Sequence, residues 1–208
     1  MAFLFTRASV VPGKIELLAG WLPGRPWAGA TAGLAKVGSY RLDDPAGEVG
    51  IEGLLVRAGD GPLLHVPLTY RGTPLDGADA HLVGTTEHSA LGTRWVYDGC
   101  ADPVFASAVV RAMLTGGRQA ALEWEDEEGV RHERQPTTTV TGSGDPGTEV
   151  PQIGAVTCAD QEDSTLVHTG HLDLVVVRRV GTPVTADETL NGRWPDGDGV
   201  LAGVRARG

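Results

Sequence analysis

Apolar residues at Ile15, Leu18, Trp21 and Leu22 recur at helical spacing and predict a first helix over 11–22, with Pro12 in its first turn. P-G-R-P-W-A-G-A then ends it. The segments 33–42, 49–57 and 63–70 carry mixed or alternating apolar residues bounded by Gly, Pro and Asp, which predicts three antiparallel strands. A second helix follows Asp102, a capping residue, with Pro103 in its first position, Phe105, Val109, Ala112 and Met113 on one face, and Gly116-Gly117 as its stop. Beyond Arg118 the pattern becomes that of strands: a hairpin around Glu128-Gly129, a Thr-rich strand at 135–141, a G-S-G-D-P-G loop over 142–151, strands at 153–158, 165–169 and 172–180, and a last hairpin turning through 195–199. The expected fold class is α+β. An antiparallel sheet packed with two helices fills 1–117, and a β-rich module of hairpins fills 118–208.

Thirty glycines and thirteen prolines support many turns between short strands. A net charge of -10 disfavours nucleic acid and anionic membrane surfaces as partners, because their phosphates would be repelled. Cys100 and Cys158 are the only cysteines and form no CxxC, so neither a disulfide framework nor a zinc site is expected, and a reduced cytoplasm fits. The start, M-A-F-L-F-T-R, lacks the pattern of a secretion signal, and no apolar run is long enough for a membrane helix. Asp43, Asp44, Glu48 and Glu52 fall within ten residues, but Asp44-Pro45 and Gly47 mark a turn, so these carboxylates read as solvated rather than as metal ligands or an acid/base pair. His168 and His171 flank Gly170 without metal-ligand spacing.

The densest chemistry lies in 66–102, which runs V-P-L-T-Y-R-G-T-P-L and then L-V-G-T-T-E-H-S-A-L-G-T-R-W-V-Y-D-G-C-A-D. That is more polar and aromatic detail than plain strand and turn needs. Tyr70, Arg71, Glu87, His88, Arg94, Trp95, Tyr97 and Asp98 are the candidate binding residues. Aromatic faces beside paired polar groups suit a sugar, so Tyr70, Glu87, His88, Trp95 and Tyr97 could line a pocket. The same residues could instead hold the fold, with Arg71 or Arg94 paired to Glu87 or Asp98 and Tyr70 bonded to a backbone carbonyl. Ser89 beside His88 makes a poor nucleophile and base, since neighbours on a strand point to opposite faces. No phosphate-cradling glycine loop and no G-x-S-x-G elbow is present.

D-D-P-A-G-E-V-G-I-E, V-P-L-T-Y-R-G-T-P-L, E-H-S-A-L-G-T-R-W-V-Y-D-G and A-D-P-V-F, in that order across the first 117 residues, resemble the N-terminal cap domain of actinobacterial maltokinases. L-A-G-W-L-P-G-R-P-W resembles that cap's first helix and its exit. In that family the cap precedes a kinase that phosphorylates maltose with ATP on the way from trehalose to α-glucan. Further on, D-S-T-L-V-H-T-G-H-L-D-L-V-V-V-R-R-V is faintly similar to the first nucleotide-lobe hairpin of those kinases. Setting Arg178 and Arg179 on the family's arginine pair puts Val175 in the place of the phosphate-pairing lysine, which an isopropyl group cannot replace. With no His-x-Asp loop following the arginine pair and no catalytic lobe expected before Gly208, the resemblance implies a stand-alone, non-catalytic cap-like protein without a cofactor. It would act on a maltokinase-type sugar kinase or another protein of α-glucan metabolism.

Overall fold

The computed structural model describes residues 2–4, 8–126 and 128–207. Part of the M-A-F-L-F-T-R start lies outside the described residues. In chain order the elements are β1 (Ala2–Leu4), β2 (Val10–Val11), α1 (Lys14–Trp21), β3 (Leu34–Leu42), β4 (Gly50–Ala58), β5 (Leu64–Arg71), β6 (Leu82–His88), β7 (Gly92–Asp98) and α2 (Pro103–Leu114). Then come β8 (Leu122–Glu125), β9 (Arg131–Arg134), β10 (Thr139–Gly142), β11 (Thr157–Asp160), β12 (Ser164–His168), β13 (Leu172–Val177), β14 (Glu188–Trp194) and β15 (Gly197–Ala206). The class is α+β and rich in strand, as expected.

The first large sheet is ordered β2-β6-β7-β5-β4-β3 and the second β10-β14-β15-β13-β12-β11, every neighbour antiparallel. A small sheet joins β1, parallel, to β8, which pairs antiparallel with β9. The stretch 66–102 is therefore mostly strand: the strand expected to end at Tyr70 is β5, and β6 and β7 follow it. β7 sits between β5 and β6, pairing with β6 from Gly92 and with β5 over 95–98, while alternation sends its polar side chains to both faces.

Period-two alternation divides the core of the first sheet. Leu54, Val56, Leu64, Val66, Leu68 and Val96 pack under Leu18 of α1 and under Leu22 and Trp27 of the turn that follows it. On the opposite face, Ile51 and Leu55 join Tyr40 and Leu42, Phe105, Val109 and Met113 of α2, and Val140, Leu174, Leu190, Trp194 and Leu201 of the second sheet in one cluster. The sequence boundary at Gly117 separates the two large sheets but not their core.

The backbone joins the sheets as well. Strand β13 ends at Val177 rather than at Val180, because the chain there crosses to the first sheet: His65 N donates to Arg178 O (2.9 Å) and Val180 N to Leu63 O (2.9 Å). Asp102 caps α2 by accepting from Val104 N at 2.9 Å, as expected. Helix α1 starts later than expected, at Lys14 with Gly13 as its cap residue, and Pro12 precedes it while its carbonyl accepts from Thr86 Oγ1 (2.8 Å).

Candidate functional site

Strand register places the candidate residues. Leu68 faces Asp98, Tyr70 faces Val96, and Arg94 faces Thr86, so Tyr70, Arg94, Asp98 and, two residues past Thr86, His88 point to the α1 side. Arg71 faces Trp95 and Thr69 faces Tyr97, so Arg71, Trp95 and Tyr97 point to the opposite side, together with Glu87, which faces Thr93. The five residues of the sugar-pocket reading are thus divided between two faces.

Most of them have an assigned contact. Asp98 pairs with Arg178, not with Arg71 or Arg94: Arg178 Nη2 donates to its Oδ2 at 2.5 Å. Arg71 grips Asp102 through two bonds of 2.7 Å, from Nε and Nη2. Arg94 Nη2 donates to Leu91 O (2.7 Å), while its buried Nε has no partner among the described residues. Glu87 accepts from Thr93 Oγ1 at 2.7 Å and is exposed. Tyr97 Oη is buried and accepts from Leu75 N (3.0 Å), which ties down the T-P-L loop. Tyr70 Oη donates to the Glu52 carboxylate (3.1 Å), a side chain, where a backbone carbonyl was expected. Trp95 is half-buried. Ser89 Oγ accepts from Ser9 N (3.1 Å) and His88 Nδ1 from Ala90 N (3.2 Å), so both atoms of the supposed dyad are engaged by backbone amides.

Two of the acidic residues read as a solvated turn differ in role. Asp44 does organise the turn, its carboxylate accepting from Ala46 N, Glu48 N and Val49 N at 2.9 to 3.0 Å. Glu52 is buried in β4 and ion-paired with Lys14. Burial alone would raise the Glu52 carboxyl, but the Lys14, Arg41 and Lys36 charges outweigh it and hold the carboxyl below its usual range. Burial lowers Lys14, partly opposed by Glu52. Burial, followed by the Glu52 charge, pushes Tyr70 up.

Sequence reasoning did not find the buried polar core beside β5. Arg178 is fully buried: Nε donates to Thr165 Oγ1 (2.7 Å), Nη2 reaches Cys100 Sγ (3.1 Å) as well as Asp98, and the guanidinium lies 4.5 Å from the Trp27 ring centroid. Next to it in sequence, Arg179 Nε donates to Trp27 O at 2.8 Å. His65 is also buried. Its Nδ1 donates to Val177 O (3.0 Å), so its Nε2 accepts from Tyr40 Oη (2.9 Å), and burial lowers its pKa to about 4. The arginine pair was visible in the sequence, but Asp98 and the Trp27 carbonyl, which it holds, lie 80 and 152 positions away and carry no local signal. Val175, the residue in the lysine position of the kinase resemblance, is a half-buried strand residue of β13 facing Leu166 and Gly203.

No three His, Cys, Asp or Glu side chains cluster as metal ligands among the described residues. A shallow depression of about 270 Å³ lies on the second sheet, lined by Thr139, Thr141, Asn191, Arg193 and Asp198, away from every candidate residue. No helix of the described residues is long and apolar enough to cross a membrane. The candidate stretch thus resolves into β5, β6, β7 and the Asp102 cap, with Arg71, Glu87, Tyr97 and Asp98 each hydrogen-bonded to a named partner, and this segment is the one that a known family shares.

Residues 21–102 match the maltokinase N-terminal cap domain. The cap segment runs from the last residue of α1 to the cap of α2, and it holds all eight candidate residues, Trp27, Glu52 and Asp102. It is shorter than the stretch of resemblance read from the sequence: α2 and the second sheet lie outside it. A search among curated proteins found no match.

Proposed function

We propose that this chain is a non-catalytic cap-like module that works through protein contacts in maltose, trehalose or α-glucan metabolism, with a maltokinase-type sugar kinase as its partner. The observation that carries this reading is the cap segment over 21–102, in which the Arg71, Tyr97, Asp98 and Asp102 side chains are tied into the fold. Val175 in place of a phosphate-pairing lysine supports the non-catalytic part. The sugar-pocket alternative is less well supported, because Tyr70 and His88 lie on the face opposite Glu87, Trp95 and Tyr97. The test is to mix the purified chain with a maltokinase and measure both complex formation by sedimentation and the kinase's turnover. A complex or a changed turnover is expected; neither one would end the kinase-partner reading.

A further inference from the structure

The α1 side of the first sheet gathers basic side chains, of which Lys36 and Arg41 form no ion pair among the described residues. Arg41 stands opposite Glu52 across β3 and β4, and Lys36 stands opposite Val56 on the same face. Arg94 and His88 come to this face from β7 and β6, and Lys14 reaches it from the first turn of α1 to lie 5.5 Å from the Tyr70 ring centroid. Lys14 and Lys36 are the only lysines of a chain with net charge -10, and both are here. The strand carboxylates of this face, Glu52 and Asp98, are buried and already paired with Lys14 and Arg178. Lys36 is exposed, and Lys14, Arg41, His88 and Arg94 are partly so. Burial first, then the charges of Arg94, Arg41 and Lys14, lower His88 and favour its neutral form.

We propose that this face, with Lys14 and Arg94 beside Tyr70 and with Arg41 and Lys36 along β3, docks an acidic segment of a partner protein. The inference rests on the interaction reading above and gives that interaction a surface and a chemistry. Guanidinium groups hold carboxylates in a planar two-bond geometry, and a cationic patch on an acidic molecule steers an acidic strand or loop to one place. Nucleic acid fits less well, because its dense phosphates would meet the repulsion of the whole molecule. A small anion also fits less well, because cations spread over a sheet face do not enclose it as a cleft would.

The test uses the full chain and a fluorescein-labelled peptide of alternating Glu and Leu, read by fluorescence anisotropy. The expected result is binding that weakens with added salt, is lost when Gln replaces Glu in the peptide, and falls about tenfold or more in K36E/R41E. R193E, on the second sheet, is expected to bind like the parent. Lys36 and Arg41 hold no ion pair among the described residues, but R41E sets a carboxylate opposite buried Glu52, so circular dichroism first checks that the double variant folds. If it does not, the exposed K36E alone should weaken binding. No binding, equal loss in R193E, full competition by inorganic phosphate, or a dimer of this chain that K36E/R41E dissociates would each overturn the proposal. If the peptide docks but no kinase complex forms, the surface stands and the named partner falls. If a kinase complex survives K36E/R41E, the partner stands and this surface falls.

Discussion

Arg178 shows at the scale of one residue how a charge is made tolerable in a core. Its guanidinium meets Asp98, Thr165, Cys100 and the face of Trp27, groups drawn from both sides of Gly117. Removing one member of a buried pair strands the other, and this costs about 3–5 kcal/mol. Arg178→Met should therefore lower unfolding stability by about that much in urea titrations, and adding Asp98→Asn should recover part of the loss. His65 makes a second case. Its pKa is near 4 in the folded chain against 6.5 as the ordinary value, so the folded state disfavours the proton. Its contribution is then complete above about pH 6.5 and is lost as pH falls toward 4, a change of roughly 3 kcal/mol. Stability measured at intervals from pH 7.5 to 4 should fall across that window, and His65→Gln should flatten the fall.

At the scale of the element, Asp102 serves two structures at once, capping α2 and holding Arg71 of β5. Asp102→Ala loses both and should cost about 2–4 kcal/mol, whereas Asp102→Asn keeps an acceptor for the cap and should cost less; thermal unfolding of the two variants separates the roles. The Asp102-Pro103 start of α2, strands β3 to β5 and the hairpin turns at Glu128-Gly129 and Pro195 were legible in the sequence because each is written in neighbouring residues. Strands β6 and β7 were not, because their polar residues are satisfied by partners that pairing alone brings close, such as Thr93 for Glu87 and Leu75 for Tyr97. The G-S-G read as a loop has a defined job at the end of α2. Gly144 N donates to Met113 O (2.8 Å) and Gly142 N to Gly117 O (2.8 Å), and a Cβ at Gly142 would overlap the Ala112 carbonyl. Gly142→Ala should therefore destabilise the chain by a few kcal/mol, about the cost of forcing backbone apart, as denaturant titration would show.

For the whole molecule, the decisive fact is a core with contributors from both large sheets. Phe105, Val109 and Met113 of α2 share it with Val140, Leu174, Leu190, Trp194 and Leu201. A fragment ending at Gly117 would expose these α2 side chains and the inner face of β4 to water. We expect it to lack a cooperative thermal transition and to aggregate, whereas the full chain should unfold in one step. A soluble, cooperatively folding fragment would instead make the cap segment and its flanks an independent unit.

The bond from Arg179 to the Trp27 carbonyl spans 152 positions, and it sets a timetable for the chain's birth. At roughly 5–20 residues per second, a ribosome needs on the order of 10–30 s to pass from the tryptophan to the arginine. For about the second half of that interval, the 80 positions from Asp98 to Arg178, the earlier sheet waits with an unfinished underside and an acid, Asp98, lacking its cation. Newly made chains should therefore depend on shielding by chaperones late in synthesis, and slow translation of the last third should be harder on the yield of this protein than slow translation of the first.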